Sequence, residues 1–434
     1  MKKVNNFLEN IFYIFLGALF LLPLERIGSF SYAGINIRIS QILIILIFIL
    51  YIIHGLIQKR LKLKLPKPLI LYIFFILICL LSLIGAKEKM RGLIISAYLC
   101  FMILIPFVIV SVVDTRNKID KSIKIILLSA FFFSLFGLFQ FAGDMIGIPN
   151  SITGLSDRYV KEVLGFPRIQ STFIEPLYFA NYLIIPLMLS AFFIIKKGNT
   201  RKNTALFVGI LLFFLLTIAL TVSKGALLSL AILLVGILLF QVRSVFSREN
   251  IPYLCFTMIF VIVATWGVAS TLQSQPDFDK LYNKAYGIIT GGSISEREGA
   301  YSVAVEAFQS NPILGIGIGG FGPYFAGYPV IAPDYGWAIA NNEYLEVLSE
   351  TGILGLTVFL LFILSILYYS YRAFKLSNDI YLKNILLALN FALVGVMIQY
   401  MTFSTLYIMH IWFLIGLILA IQQIIFERKE VSDV

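Results

Sequence analysis

Four short stretches of this sequence set charged and hydroxyl-bearing side chains beside apolar runs, and their residue types suit holding an anion and activating a hydroxyl. Lys224 lies in IALTVSKGALLSL, at a turn between two apolar segments. It is either a lysine reaching toward lipid headgroups or a cation turned into a polar cavity, which the flanking Ser223 and Gly225 favour. Arg297 lies in SISEREGAYSVAVEAFQS, a helical pattern for which Ser295 is the expected N-cap. A cation there opposes the helix dipole. Arg297 is therefore either a solvated charge paired with a nearby Glu or a guanidinium clamp for phosphate or carboxylate. Arg168 and Glu175 share GFPRIQSTFIEPLYFANYL, just before an apolar run, as a structural pair or as parts of a site. The fourth stretch, AIANNEYLEVLSETGILGL, carries Asn341, Asn342, Glu343, Tyr344, Glu346 and Glu350. Its three glutamates recur at helical spacing and share one face. They complement a helix N-terminus or line a polar cavity.

The elements that position these groups are membrane helices. Of the 434 residues, 59% are hydrophobic and 13% charged, against roughly 25% charged in soluble domains. The mean hydropathy of +0.93 excludes a soluble enzyme. Apolar runs long enough to span a bilayer fall at about 8–24, 37–58, 68–86, 92–113, 122–143, 173–195, 204–222, 225–242, 252–271, 344–370, 381–404 and 406–426. The expected fold is an all-α polytopic membrane protein of about twelve spans. Alternate loops and the two ends hold 22 of the 34 Lys and Arg residues, so the positive-inside rule puts both termini in the cytoplasm. The N-terminus has no cleavage site of the signal-peptide kind and reads as the first span.

The net charge of +11 thus sets topology, and no nucleic-acid motif accompanies it. The cysteines Cys79, Cys100 and Cys255 lie inside apolar runs, and the histidines are only His54 and His410. No metal or haem site is expected. Two outer loops are long, 144–172 and 272–343. The second is large enough for a small subdomain, with a helix from Glu296 to Gln309 and the glycine-rich turn NPILGIGIGGFGPYF. The expected organisation is spans one to nine over 1–271, the loop subdomain over 272–343, and spans ten to twelve with a short cytoplasmic tail over 344–434. The four stretches all fall on the outer side. Together they outline a basic and acidic cavity under an aromatic loop, suited to a diphosphate joined to a hydroxyl-rich body.

These residues resemble the O-antigen ligase and polymerase superfamily, which also includes capsule and teichuronic-acid polymerases. RIQSTFIEPLYFANYL looks like its R-x-x-G-T-F-x-x-P-x-x-F-A-x-Y-L block, and TVSKGALLSL like its S-R-G-A block. REGAYSVAVEAFQSNPILGIGIGGF and NNEYLEVLSETGILGL look like its R-x-x-x-W/Y…P-L-x-G-x-G…H-N-x-Y-L-x-x-L-x-E-x-G-x-x-G block. Their order, with a large external loop between spans nine and ten, is also similar to the family.

The resemblance implies a GT-C-like, inverting membrane glycosyltransferase of the bacterial plasma membrane. Its active site would face outward and use no cofactor or metal. The donor would be an oligosaccharide on undecaprenyl diphosphate, and Lys224 and Arg297 would bind the diphosphate. Arg168, Asn341, Asn342, Tyr344 and Glu346 would bind substrate. Partners would be the lipid-linked oligosaccharide, membrane lipids, and a flippase and chain-length regulator of the same pathway. Two departures bear on the branch. Lys224 replaces the arginine of S-R-G, keeping charge without the fork. Asn341 replaces the histidine of H-N and cannot act as a base, which argues against a ligase. Glu175 or Glu343 is then the candidate base, and polymerisation of repeat units is the expected reaction. The alternatives are a ligase that moves a glycan to another acceptor, and a lipid-linked oligosaccharide flippase. A flippase would carry charge through the mid-membrane spans, whereas here the notable charges cluster on one side.

Overall fold

The computed structural model describes residues 2–27, 29–32, 35–59, 64–160, 165–195, 201–245, 292–329 and 336–432. The expected span 252–271, Cys255 and the first part of the late loop lie outside the described residues. Within them the chain forms α1 (Lys2–Phe20), a hairpin of β1 (Phe30–Tyr32) and β2 (Ile35–Ile37), α2 (Ile39–Ile57) and α3 (Lys67–Ser82). Next come α4 (Lys89–Met102), α5 (Leu104–Val112), α6 (Arg116–Met145), the short α7 (Asn150–Thr153), α8 (Pro176–Ile195), α9 (Arg201–Leu220) and α10 (Lys224–Val245). The late part holds α11 (Gly292–Ser310), α12 (Phe321–Phe325), α13 (Glu343–Leu376), α14 (Ile380–Gln399) and α15 (Met409–Ser432). Among the described residues eight spans are long and apolar enough to cross a membrane, α4 and α5 together making one of them, and shorter apolar helices accompany them. This is the architecture of an all-α multi-pass membrane protein.

Sequence explains most boundaries. Thr115, Asn342 and Asp379 cap α6, α13 and α14 by accepting from the first free backbone N–H groups. The run expected over 92–113 divides at Ile103 because Pro106, three residues on, has no N–H to give the turn before it. In α2, the outward residues Ile42, Ile45, Leu46, Ile49, Ile53 and Leu56 form an exposed apolar stripe, as a lipid-facing helix requires. In α15, by contrast, nearly every residue from Met409 to Gln422 is buried. It is the central post, packed on α5, α13 and α14, while α13 lies on α3 and α8 lies between α9 and α14. One polar link ties this centre. Asn181 of α8 donates to Gln399 of α14 at 3.0 Å and accepts from Nε2 of His410 of α15 at 2.7 Å. With no water at that depth, such groups bond across helices or stay unsatisfied.

Side-chain contacts sort the loops onto two ends. At one end Lys64 meets Glu427 at 2.6 Å, Arg116 and Arg428 share Asp379, and Tyr381 donates to Asp120 at 2.9 Å. At the other, the hairpin region, the 83–91 turn, residues 146–160 and 165–175, the Thr221–Ser223 turn, α11, α12 and the Tyr400–Thr405 turn gather. The four chemically notable stretches all belong to this second end.

Candidate active site

The site is built around a break in α13. Gly352 has φ +65 and ψ −168, so the helix stops after its first nine residues and restarts. A side chain at Gly352 would strike the carbonyl of Ile313, and one at Gly315 would strike Glu350. The break frees backbone groups that an unbroken helix would use internally. The glycine-rich loop takes them up: Ile316 N donates to Ser349 O at 2.9 Å, Gly317 N to Glu350 O at 3.0 Å, and Ile353 N to Pro312 O at 2.9 Å. The same loop seats Gly317 against Ala86 and Gly319 against Arg91. This explains why NPILGIGIGG is rich in glycine: at these positions the backbone itself is the packing surface.

The three glutamates of α13 lie together; Glu343 and Glu350 are buried and Glu346 is half-buried. Glu350 accepts from Phe321 N at 3.0 Å, and Glu346 accepts from Ala340 N at 2.7 Å. Glu343 is only 2% exposed, and one of its carboxylate oxygens has no hydrogen-bond partner. The charge facing Glu346 and Glu350 is Arg91. Its Nε donates to Gly319 O at 2.7 Å, and its guanidinium lies 5.5 Å from the centre of the Trp337 ring. Asn342 is the helix cap, accepting from Tyr344 N and Leu345 N at 3.1 and 3.2 Å. Asn341 takes a left-handed conformation, φ +53, and its amide donates to Ile339 O at 3.4 Å. The Tyr344 hydroxyl donates to Met397 O at 2.7 Å.

The cations form a second group. Arg297 and Arg168 both lie within electrostatic reach of Lys224, although the three come from α11, the segment before α8, and the start of α10. Arg168 Nε donates to Thr221 O at 3.1 Å, which holds it beside the turn that carries Lys224. Among the described residues no carboxylate pairs with Arg297. Ser295 does not cap α11, whose described part begins at Gly292. Arg297 thus has at least five helical residues before it, lies past the free N–H groups, and does not oppose the dipole as the sequence had suggested. Three cations beside one carboxylate, Glu175, make this place net positive and suited to contact with an anion.

Glu175 sits at the edge of this cluster, on the residue before α8. Burial raises its carboxyl above the ordinary value, and the nearby Arg168 and Arg158 oppose that rise. It is half-buried, whereas Glu343 is enclosed.

The two groups meet across the turn Tyr400–Thr405, which falls at the expected boundary of the last two spans and was not read from sequence as part of the site. Thr402 lies against Gly225, where any side chain would collide with its hydroxyl. Tyr301 of α11 donates to Met401 O at 3.4 Å. Asn342 N donates to Ser404 Oγ at 2.9 Å, Glu343 N donates to Tyr400 O at 2.8 Å, and Tyr178 of α8 meets Thr405 Oγ1 at 3.2 Å. One turn therefore fixes α8, α10, α11 and α13 relative to one another. Arg91 was also missed, because in KEKMRGLI it looks like any cation at the end of a span. Among the described residues no group of three or more His, Cys, Asp or Glu is arranged to hold a metal ion.

Residues 209–360 match the model of the O-antigen ligase family. The matched stretch holds Lys224, Arg297, the glycine-rich loop and the broken α13, and it supports the O-antigen ligase/polymerase superfamily for this chain. A comparison with curated proteins finds no match.

Proposed function

We propose, from the match of residues 209–360 to the O-antigen ligase family and from the site's geometry, that this membrane protein is a polysaccharide polymerase. It joins oligosaccharide repeat units carried on a lipid diphosphate, on the outer face of the bacterial plasma membrane. The observation that carries this reading is the convergence of Lys224, Arg297 and Arg168 at one end of the helices, beside Glu175. In the reaction an acceptor hydroxyl attacks the anomeric carbon of the donor glycan, and the lipid diphosphate leaves. Charge builds on the leaving oxygen in the transition state, and cations fixed before the reaction lower its energy without reorganising. Glu175 takes the proton of the acceptor hydroxyl. A base must reach its substrate, and the enclosure of Glu343 favours Glu175. Arg91, Glu346 and Glu350 then hold the loop that closes over the glycan.

Polymerisation is favoured over ligation by Asn341, an amide with no proton-accepting nitrogen where the family's ligases carry histidine. Cells lacking the protein should then accumulate single repeat units on the lipid carrier. Full-length polymer retained on the carrier would make the protein a ligase instead. The orientation rests on the positive-inside rule, since alternate loops and the two ends hold 22 of the 34 Lys and Arg residues. Cysteines placed in 144–172 or 272–343 should react with an impermeant reagent added outside intact cells, and those in 59–67 or 196–202 should not. The reverse labelling pattern would overturn the orientation.

A further inference from the structure

At the end of the molecule opposite the candidate active site, a cavity of about 490 Å³ opens between the start of α3 and the ends of α13 and α15. Its size is that of an ordinary small-molecule site, and its wall is divided by chemistry. Leu65, Leu376, Leu419 and Phe426 supply the apolar side, and Lys67 and Arg372 supply two cations. Both cations are exposed, and among the described residues neither forms an ion pair. The neighbouring carboxylate, Glu427, is already held by Lys64 at 2.6 Å. Gln422 is also occupied, its amide donating to Ile366 O at 3.0 Å and Ser370 Oγ at 2.8 Å.

The depth of this cavity is marked by aromatic residues. Tyr368 and Tyr371 are exposed on the same stretch of α13, and Lys375 lies over the Tyr371 ring at 4.8 Å. Tyr369 meets Phe426 edge-on, with ring centres 6.4 Å apart, at the cavity wall. Exposed tyrosines beside cations at a helix end sit at headgroup level in a bilayer. A cavity there with one apolar wall and two exposed cations complements an amphiphile that has an anionic head. Basic pockets between membrane helices take anionic lipid headgroups on these terms.

We propose that this cavity binds one anionic phospholipid. Its phosphodiester lies between Lys67 and Arg372, and its acyl chains lie against the exposed Leu65 and the half-buried Phe426. That the lipid belongs to the cytoplasmic leaflet rests on the orientation proposed above. Binding itself does not, so the test uses protein in detergent, where orientation has no meaning and no glycan substrate is present.

The full-length protein is purified and given phosphatidylglycerol or phosphatidylcholine of identical acyl chains, and lipid retention is read by native mass spectrometry. One phosphatidylglycerol should be retained roughly 10-fold more than phosphatidylcholine, as two headgroup contacts to cations imply. Lys67→Gln with Arg372→Gln should bring retention down to the phosphatidylcholine level, while Lys67→Arg with Arg372→Lys should keep it. Equal retention of the two lipids by the unaltered protein would overturn the proposal without reference to any variant. So would undiminished phosphatidylglycerol retention in the glutamine variant. Inorganic phosphate serves as the control. If it raises the melting temperature as much as the lipid does, the site is one for a soluble anion and the lipid assignment fails.

Discussion

Replacing Arg297 with alanine should lower polymer formation by roughly 10²–10³-fold, the loss typical when one fixed charge-stabilising donor is removed from a transition state. Protein level should stay normal. Arg297 is half-buried on α11 and makes no ion pair among the described residues, so its loss leaves no carboxylate stranded. Lys224→Ala should behave similarly, and Lys224→Arg should remain active, because a guanidinium keeps the charge and adds the bidentate fork. The two residues share one anion, so the double alanine variant should fall well short of the product of the single losses, as coupled residues do. Polymer is measured as the ladder of lipid-linked glycan in membranes of matched protein content. A normal ladder from Lys224→Ala would return that residue to the role of a lysine reaching the headgroups.

Glu175→Gln should cost roughly 10²–10⁴-fold in rate, the range of a lost general base, with substrate binding little altered because the amide is nearly isosteric. Glu343→Gln, at a buried site away from the cations, should cost far less. The pH profile separates a base from a structural carboxylate. Burial holds the Glu175 carboxyl above the ordinary value of 4.5, against the pull of Arg168 and Arg158. The base must be ionised, so the rate should fall as pH drops through that raised pKa, giving an acid limb above 4.5. Removing one opposing cation, by Arg158→Gln, should move the limb to higher pH. A flat profile in the unaltered protein, or full activity in Glu175→Gln, would shift the role of base elsewhere.

Hydropathy made most of the fold legible. Runs of about 20 apolar residues leave few alternatives to spanning helices. Local interruptions were less visible. The division of 92–113 at Ile103 follows from Pro106 and could have been read from the sequence. The break at Gly352 could not, because a glycine within an apolar helical pattern is usually tolerated, and only the loop packed against it demands the positive φ. Candidate site residues were picked out where a charge stood in an apolar setting, as with Lys224, Arg297, Arg168 and Glu175. That three of these cations converge was not legible, since it depends on how distant segments pack. The same limit hid Arg91, which differs from a headgroup-seeking cation only through Gly319 and Trp337. It also hid the Tyr400–Thr405 turn, whose residues carry no charge and matter through backbone and hydroxyl contacts. Ser295 shows the opposite failure. Its residue type suited a cap, but the helix begins earlier.

The central claim is glycan transfer from a lipid diphosphate driven by side-chain cations alone, and purified protein tests it most directly. Given undecaprenyl-diphosphate oligosaccharide as the only substrate, with a chelator and no sugar nucleotide, it should build a ladder of longer lipid-linked glycans. It should release one undecaprenyl diphosphate for each unit joined, and Arg297→Ala should do neither. Growth that requires a nucleotide sugar, or that stops when divalent metal is removed, would contradict the account.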